Sequence, residues 1–312
     1  MKMEYVSACA PGKINLALRV GQRRPDGFHD LDTVFEAVDI FDDVQVYAAD
    51  GLSLSVTGLG ADLPTDSSNI VIRAAKLLQE RFGVRGGAKI ELTKRIPVAG
   101  GMAGGSADAA AALTALNELW ELGLSASELR ALGAELGSDV PFALLGGIAH
   151  GTGRGEKLTA LRPGALHGWV ILANPDGLST PEVFRAFDRH QYGSECRAQF
   201  PGAQNTGADR PADTKELRRA VQGKNLAAVG AQMKNDLLRP ALSLRPDLAD
   251  IFRKIGNEGY GTILSGSGAS VAVLVSAQRL HAHTADLRRR FPGLRVFSAA
   301  GPAAGAHIKR SR

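Results

Sequence analysis

The stretch Pro97-Val-Ala-Gly-Gly-Met-Ala-Gly-Gly-Ser-Ala107 decides the fold. It follows an alternating segment at residues 88–94 that predicts a strand, and it precedes an alanine-rich segment that predicts a helix to about Leu122. The first N–H groups of a helix lack partners within the helix and carry the positive end of its dipole. A glycine-rich loop at this point therefore predicts a site that wraps an anion such as phosphate.

The loop differs from two common nucleotide-binding motifs. The chain contains neither G-x-x-x-x-G-K-[ST] nor G-x-G-x-x-G, which excludes a P-loop and a Rossmann fingerprint. Ser106 stands at the predicted helix start, where its hydroxyl can cap the helix or contact a phosphate or its metal. We interpret Asp108 as an acidic residue of the first turn that complements the helix dipole, and we do not assign it to a metal.

Two more segments carry polar side chains where regular structure begins. Pro11-Gly-Lys-Ile-Asn15 opens a predicted strand, and Lys13 and Asn15 project from the same face because residues i and i+2 of a strand do. In Gly137-Ser-Asp-Val-Pro141, Asp139 follows the end of a predicted helix. Taken alone, such a lysine is typical of an exposed strand entrance, and such an aspartate is typical of a helix cap.

Composition and charge narrow the class of protein. The chain has 312 residues, of which 44% are hydrophobic and 22% charged, which excludes a disordered or fibrous protein. No run of 18 apolar residues and no apolar signal region occurs, so we expect neither a membrane span nor secretion. Cys9 and Cys196 lack metal-binding spacing, which predicts a cytoplasmic protein without a disulfide or zinc site. Aromatic residues make up only 5%, too few to indicate a nucleic-acid surface with stacking rings, so we expect no nucleic-acid partner.

Strands and helices mix along the chain without regular βαβ alternation, which predicts an α+β architecture in two parts. We expect domains at residues 1–165 and 166–312, with a mobile loop at 192–213 where the composition becomes polar and aperiodic. Asn69 and the capping box of Ser125 and Glu128 predict helix starts. The other predicted strands lie at 14–20, 44–47, 52–56, 169–174, 261–265, 270–276 and 294–299, and the other predicted helices at 214–222, 224–238, 246–257 and 278–290.

Three motifs together resemble the GHMP kinase superfamily of small-molecule kinases over nearly the whole chain. They are P-x-K-x-N at residues 11–15, P-x-x-x-G-[LM]-x-G-G-S at 97–106 and S-G-S-G-A-S at 265–270. The resemblance implies a two-domain GHMP kinase fold, with a ribosomal-protein S5-like N-terminal domain and a ferredoxin-like C-terminal domain. Residues 21–29 and 137–141 resemble the branch that phosphorylates a hydroxyl of a cytidine-diphosphate-linked alcohol in the non-mevalonate isoprenoid route.

The resemblance implies roles for the polar residues. Asp139 takes the role of the base that accepts the proton of the substrate hydroxyl, Lys13 lies beside the reacting oxygen, and Asn15 orients the substrate. Phosphoryl transfer needs these elements, namely an oriented nucleophile, positive charge near the transferring oxygens and a carboxylate able to take a proton. The cytosine site implied by the resemblance consists of four residues, Phe28, His29, Thr180 and Phe184. Phe28 departs from the commoner tyrosine, so it keeps the ring face and loses the hydroxyl.

ATP is the implied co-substrate and Mg²⁺ accompanies it, although the sequence does not fix the metal ligands. Asn69 and Lys94 lie where members of the superfamily approach the nucleotide, and a turn implied to face the active site contains Gly266, Ser267 and Gly268. The residues implied to bind ATP phosphates are Pro97, Val98, Ala99, Gly100, Gly101, Met102, Ala103, Gly104, Gly105, Ser106 and Ala107.

Two alternatives remain open from the sequence. One is another small-molecule kinase of the same superfamily, of the homoserine or mevalonate type, which would share the phosphate loop without the cytosine site. The other is an RNA-binding protein with an S5-like domain, suggested by the positive net charge of +5. That alternative leaves Asp139 and the glycine-rich loop without a role.

Overall fold

The computed structural model describes residues 5–192 and 211–311. The expected mobile loop at 192–213 lies mostly outside this range, as does Cys196. Within the range, two sheets organise the chain, one built mainly from its first half and the other from its second. In the part described, no helix combines the length and the apolar character needed to cross a bilayer.

The first sheet runs in the order β12-β1-β2-β4-β3. Two further strands, β5 and β6, extend from β2, and the short β8 pairs in parallel with β1. Its strands are β1 (Val6–Arg23), β2 (His29–Ala49), β3 (Leu52–Gly58), β4 (Gly87–Lys94), β5 (Ile148–Gly153), β6 (Lys157–Leu161), β8 (Lys234–Asn235) and β12 (His307–Ser311). The predicted strands at 14–20 and 44–47 are parts of β1 and β2, whose antiparallel pairing extends from Val6 to Arg23.

The second sheet has the order β11-β7-β10-β9 and is antiparallel throughout. Its strands are β7 (His167–Ala173), β9 (Gly261–Leu264), β10 (Val271–Val275) and β11 (Arg295–Gly301). Strand β7 is buried along its whole length, which explains its continuous apolar sequence. Together with the first sheet and the helices, this arrangement confirms the predicted α+β class.

The helices cover the sheets with amphipathic or fully apolar faces. They are α1 (Ile70–Phe82), α2 (Gly104–Leu119), α3 (Ala126–Leu136), α4 (Val140–Leu145), α5 (Thr180–Tyr192), α6 (Lys215–Val221), α7 (Leu226–Gln232), α8 (Leu238–Leu244), α9 (Asp247–Ile255) and α10 (Leu280–Arg290), with a short 3₁₀ turn at Ala277–Arg279. Two predicted boundaries were too long. The helix predicted at 224–238 ends at Gln232 and gives way to β8, and the one predicted to Leu122 ends at Leu119.

Local capping signals placed the helix starts correctly. The Asn69 side chain accepts a hydrogen bond from the amide of Val71, and Gly83 ends α1 with a left-handed backbone. Ser125 and Glu128 form the predicted capping box, each side chain bonding to the backbone of the other. These contacts involve neighbours in sequence, which is why the sequence was sufficient to predict them.

The alanine-rich helix α2 positions the glycine-rich loop. Its residues 107–113 are all buried, because alanines let the helix approach the first sheet closely. The loop reaches α2 through Ala103, which has a φ of 56° and provides no side-chain cap. The N-terminus of a deeply buried helix is therefore fixed at the end of the loop, with its first N–H groups lacking partners within the helix.

A buried charged group joins the two sheets. Glu36 on β2 is bonded to His167 Nδ1 at 2.7 Å and accepts from Trp169 Nε1 at 3.1 Å, both on β7. All three side chains are buried, so this contact fixes the second sheet against the first. The predicted domain division at residue 165 stays a prediction, but β12 departs from it, because residues 307–311 pair with β1 of the first sheet.

Candidate active site

A cavity of about 620 Å³ lies where the two sheets meet. Six segments provide most of its lining: the β1 strand at Lys13 and Asn15, the glycine-rich loop, the 27–31 turn, residues 138–139 before α4, the start of α5, and the 266–267 turn. Most of the residues predicted as a site from the sequence therefore surround one space. Five predicted site residues do not line the cavity: Val98, which is exposed, Ala107 and Lys94, which are buried, and Asn69 and Gly268.

Lys13 and Asp139 form one end of the cavity. The Lys13 Nζ atom lies 3.6 Å from the nearer carboxylate oxygen of Asp139. It also donates to the side chain of Asn15 at 2.8 Å and to the carbonyl of Gly101 at 3.1 Å. Asn15 donates in turn to the Thr33 hydroxyl at 2.9 Å. The ammonium is thus held in one position by three neighbours, and it is buried rather than exposed as a strand entrance alone would suggest.

Asp139 stands at the N-cap position of α4, but its side chain makes no capping hydrogen bond. The helix-cap interpretation is therefore wrong, even though the residue occupies the cap position. Its side chain is 30% exposed and lines the cavity. A carboxylate that is partly exposed, points to a cavity and lies near a buried ammonium is available to accept a proton from a bound molecule.

The glycine-rich loop is held between β1 and the 265–268 turn. Gly101 has a φ of 71°, and a Cβ added there would lie 2.0 Å from the carbonyl oxygen of Ser265. The Ser265 hydroxyl donates to the Gly101 carbonyl at 3.0 Å, and the amide of Lys13 donates to the carbonyl of Met102 at 3.1 Å. Only glycine fits at position 101, because both the backbone angle and the contact exclude a side chain.

Ser106 lines the cavity beside the start of α2, but it does not cap the helix, since the cap position belongs to Ala103. Its hydroxyl therefore remains available to a ligand. The loop residues that line the cavity are Pro97, Ala99, Gly100, Gly101, Met102, Ala103, Gly104 and Gly105. A glycine-rich main chain that leads into a helix N-terminus offers N–H groups and a positive dipole end to an anion.

Aromatic rings form the opposite end of the cavity. His29 is buried and stacks on Phe184 with ring centres 5.1 Å apart, while the edge contact with Phe187 is at 5.8 Å. Phe28 is 49% exposed at the rim, so it is not a core residue that fixes the turn after Gly27. The half-exposed Phe28 ring and the buried His29 imidazole therefore line the same end of the cavity, which suits a flat ligand.

Thr180 begins α5 and links this end to the 266–268 turn. Its hydroxyl lies 2.8 Å from the hydroxyl of Ser267, and both residues line the cavity. Gly266 lies close to the loop, since a Cβ there would be 2.8 Å from the carbonyl oxygen of Gly101. Gly266 and Ser267 therefore face the cavity from the second sheet, one beside the glycine-rich loop and the other beside Thr180, whereas Gly268 is not part of the lining.

Sequence reasoning missed two residues of the aromatic end. The guanidinium of Arg154 lies 4.9 Å from the centre of the Phe28 ring, at the cavity wall. Asp188 lies 2.7 Å from Nε2 of His29. Arg154 lies in a glycine-rich segment whose sequence is typical of an ordinary turn. Asp188 is 159 residues from its partner, so no local sequence pattern indicated either contact.

Lys94 does not reach the cavity, contrary to its predicted approach to the nucleotide. Its ammonium is buried between Asp42, at 2.5 Å, and both oxygens of Asp108, at 2.9 and 2.8 Å. Asp42 also accepts from the amide of Ile96 at 2.9 Å, just before the loop. The first-turn interpretation of Asp108 is wrong as well, because the carboxylate lies beyond the first turn of α2 and is paired with Lys94. Because Lys94 and Ile96 precede the glycine-rich loop and Asp108 follows it, these buried contacts fix both ends of the loop.

The electrostatics of this buried group are unusual. Burial raises the pKa of Asp108 to about 8, against the opposing effect of the Lys94 ammonium.

Asn69 has a structural role, since its side chain caps α1 and donates to the Pro64 carbonyl at 2.7 Å. It lies outside the cavity lining, and its predicted contact with a nucleotide stays a prediction.

The fold and the cavity together define a GHMP kinase. Residues 69–147, which contain the glycine-rich loop and Asp139, match the family model described as the GHMP kinases N terminal domain. A homoserine kinase from Cytophaga hutchinsonii has a similar fold, with a TM-score of 0.74 at 20% identity over 98% of this chain and 97% of that one. That identity supports the fold alone.

Proteins with higher sequence identity to this chain identify the family within the GHMP kinases. A 4-diphosphocytidyl-2-C-methyl-D-erythritol kinase from Leifsonia xyli subsp. xyli is 41% identical over 98% of this chain and 99% of its own length. A solved 4-(cytidine 5'-diphospho)-2C-methyl-D-erythritol kinase has a TM-score of 0.72 at 29% identity, covering 96% of this chain and all of that one. The chain belongs to the 4-diphosphocytidyl-2-C-methyl-D-erythritol kinase family.

Proposed function

We propose that this chain transfers the γ-phosphoryl group of ATP to the 2-hydroxyl of 4-diphosphocytidyl-2-C-methyl-D-erythritol, giving the 2-phosphate and ADP in the non-mevalonate isoprenoid pathway. The observation that carries the proposal is the 3.6 Å approach of Lys13 to Asp139. This pair shares one cavity with a phosphate-binding loop at one side and an aromatic site for a base at the other. Family membership supports the identity of the substrate.

In the proposed reaction, the 2-hydroxyl oxygen attacks the γ-phosphorus while the bond from that phosphorus to the leaving ADP oxygen breaks. The proton of the hydroxyl passes to the carboxylate of Asp139. The ammonium of Lys13 lies beside the same oxygen and stabilises the negative charge that develops there. Asn15 and the Gly101 carbonyl keep Lys13 in position through their hydrogen bonds, so the reacting groups need little rearrangement.

The glycine-rich loop is the proposed site of the ATP phosphates. Its main chain from Ala99 to Gly105 lines the cavity, and the N-terminus of α2 follows directly. Backbone N–H groups and the helix dipole stabilise negative oxygens at this position. The carbonyl of Gly101 is already bonded to Lys13 and Ser265, so the loop is held firmly in place before a nucleotide binds.

Magnesium fits this site as a companion of ATP. It prefers oxygen ligands and is commonly held by one or two protein groups together with substrate phosphates. The described ranges contain no group of three or more histidine, cysteine, aspartate or glutamate residues that could hold a metal. Ser106, whose hydroxyl lines the cavity, would be the protein ligand, and the remaining oxygens would come from the phosphates. When bound, Mg²⁺ neutralises negative charge on the phosphate oxygens.

The aromatic end is the proposed cytidine site. Phe28 offers an exposed ring face for stacking, and Phe184 supports the buried imidazole of His29 from behind. The Arg154 guanidinium adds a positive charge at this end, which suits a substrate that bears a diphosphate. Homoserine and mevalonate contain no flat heterocycle that could stack at this end of the cavity. The aromatic end therefore favours the cytidine-linked substrate over those two alternatives.

The RNA-binding alternative has no comparable support. It gives no role to the Lys13–Asp139 pair, and a small-molecule substrate accounts for the whole cavity.

We also infer a cytoplasmic location, since the Cys9 thiol is buried and not in a disulfide. Burial raises the pKa of that thiol to about 11, which keeps it in the unreactive protonated form.

The experiment that tests the proposed function measures ADP release by the purified protein with ATP and Mg²⁺. We expect ADP to form when the cytidine-linked methylerythritol is present, and not with homoserine or mevalonate. Free CDP should compete with the cytidine-linked substrate. Equal ADP formation with all three alcohols, or with none, would refute the proposal.

A further inference from the structure

Asp188 lies behind the aromatic end of the cavity and has no role in the proposed reaction. It belongs to α5, and its carboxylate oxygen lies 2.7 Å from Nε2 of His29. The His29 side chain is 4% exposed and that of Asp188 is 23% exposed. His29 lines the cavity, whereas Asp188 does not, so any influence of Asp188 on a ligand must pass through the imidazole.

The contact determines which nitrogen of His29 carries the hydrogen. An ionised carboxylate only accepts hydrogen bonds, so Nε2 must be the N–H donor toward Asp188. A neutral imidazole has one N–H, and Nδ1 is then left with a lone pair. In residues 5–192 and 211–311, Nδ1 of His29 has no hydrogen-bond partner. It is therefore the ring atom available to accept a hydrogen bond from a ligand.

The rings around His29 prevent it from reversing this arrangement. Phe184 stacks on one face at 5.1 Å, and Phe187 contacts it edge-on at 5.8 Å. A flip that exchanged the two nitrogens would break the bond to Asp188 in a site with almost no access to water. The packing and the carboxylate together hold Nδ1 as an acceptor in a fixed position.

Pyrimidine bases differ in the group that such an acceptor meets. Cytosine presents an exocyclic amino group, which donates, where uracil presents a carbonyl oxygen, which accepts. We propose that Asp188 is a positioning residue that fixes the acceptor tautomer of His29 and so makes the site select cytosine over uracil. This inference rests on the proposed cytidine substrate and adds the residue that determines its base specificity.

Two acceptors facing each other leave both polar groups without a hydrogen bond in a buried site. We expect this mismatch to weaken the binding of a uracil nucleotide by about 10- to 100-fold relative to its cytosine counterpart. Stacking on Phe28 does not discriminate between the two bases, since each has a flat ring face. The preference should therefore depend on the hydrogen bond and not on the stack.

The test compares Asp188→Asn with the wild-type protein. Calorimetry at pH 8 measures the affinities for CDP and UDP, with saturating ADP present to occupy the phosphate loop. An asparagine amide both accepts and donates, so it satisfies either tautomer of His29. We expect the wild-type ratio of CDP to UDP affinity, about 10 or more, to fall to within about threefold in the variant. Glu182→Gln, the same chemical change at an exposed site on α5, should keep the wild-type ratio.

A purely structural role for Asp188 predicts a different result. Both affinities would then fall together in Asp188→Asn while their ratio stayed constant, and that outcome would overturn the proposal. Equal wild-type affinity for CDP and UDP would overturn it as well. If CDP binds but ATP is not consumed with the cytidine-linked alcohol, the proposed reaction fails while the base preference can still be measured, so the two failures are distinguishable.

A second measurement is made on the wild-type protein and does not use the Asp188→Asn variant. Long-range ¹H–¹⁵N spectra of histidine-labelled wild-type protein at pH 8 report the tautomer of each of the seven histidines. The His29 signals are assigned by their loss in His29→Gln. The proposal expects a hydrogen on Nε2 and a lone pair on Nδ1. A hydrogen on Nδ1, alone or on both nitrogens, would overturn it.

Discussion

Replacing Asp139 by asparagine removes the proposed proton acceptor, together with the negative charge that faces the Lys13 ammonium at 3.6 Å. The change is nearly isosteric, and the aspartate side chain makes no capping bond that could be lost. Its 30% exposure means that the new amide is not left buried without a partner. We therefore expect the melting temperature to change by no more than about 2 °C.

The effect on turnover follows from the geometry of the pair. An amide cannot accept the proton of the hydroxyl, and loss of a positioned general base costs about 10²–10⁴-fold in rate. This range corresponds to about 2.7–5.4 kcal/mol of transition-state stabilisation. Lys13 keeps its bonds to Asn15 and Gly101, so the phosphate loop is unchanged and ATP affinity should stay within about threefold of the wild type.

The assay follows ADP release at saturating substrates, with ATP binding measured separately by calorimetry. Asp50→Asn, the same change in the exposed turn between β2 and β3, is the matched control and should retain full turnover. Asp139→Asn turnover above a tenth of the wild-type rate would refute the assignment of Asp139 as the base. A parallel loss of ATP affinity would indicate that the carboxylate instead shapes the nucleotide site.

Three further predictions concern the aromatic end of the cavity, the glycine-rich loop and the buried Asp108. Phe28→Leu should lose about 1–3 kcal/mol of CDP affinity in calorimetry, while Phe28→Tyr stays near the wild-type value; neither should lower the melting temperature, because the ring is 49% exposed. Gly101→Ala should cost about 1–3 kcal/mol of stability and raise the KM for ATP, since the added Cβ meets the Ser265 carbonyl at 2.0 Å. Because burial raises the pKa of Asp108 to about 8, the folded state keeps a proton that the unfolded state releases near pH 4, so this stabilisation is fully present below pH 4 and is lost as the pH rises from there through about 8. Urea unfolding between pH 5 and 9 should therefore show the wild type losing stability relative to Asp108→Asn up to about pH 8, by at most about 1.4 kcal/mol per pH unit, with no further loss above it.

Each of these predictions has a result that contradicts it. Intact CDP affinity in Phe28→Leu would remove the ring from the base site. Gly105→Ala is the control for Gly101→Ala, since nothing lies within 4 Å of its added Cβ, and equal effects of the two changes would refute the steric argument. A difference in stability between Asp108→Asn and the wild type that does not vary with pH would show that Asp108 has the same protonation state in the folded and unfolded chains.

Local patterns in the sequence predicted the features that depend on near neighbours. The cap at Asn69 follows from one residue and its helix, and Lys13 and Asn15 lie together because a strand places residues i and i+2 on one face. The anion site at the glycine-rich loop was predicted for the same reason, because that prediction depends only on the strand before the loop and the helix after it.

Features that depend on distant contacts could not be predicted. Lys94 is adjacent to the loop in sequence, but its position is decided by Asp42, which lies 52 residues away and is brought close by the pairing of β2 with β4. Asp188 reaches His29 only when α5 packs against the first sheet. The family resemblance did not predict these contacts either, because its motifs describe the loop and the reacting pair, not the residues that support them.

The pairing of β12 with β1 has a consequence for the order in which the protein assembles. Residues 307–311 form the outer strand beside Val6–Cys9, and the preceding segment bonds to Ala37, Ala143 and Gly147. During synthesis, the edge of β1 stays open until almost 300 further residues have left the ribosome. An open edge strand can pair with other chains. Synthesis of residues 307–311, rather than completion of the first half of the sequence, is therefore the event that closes this edge of the first sheet.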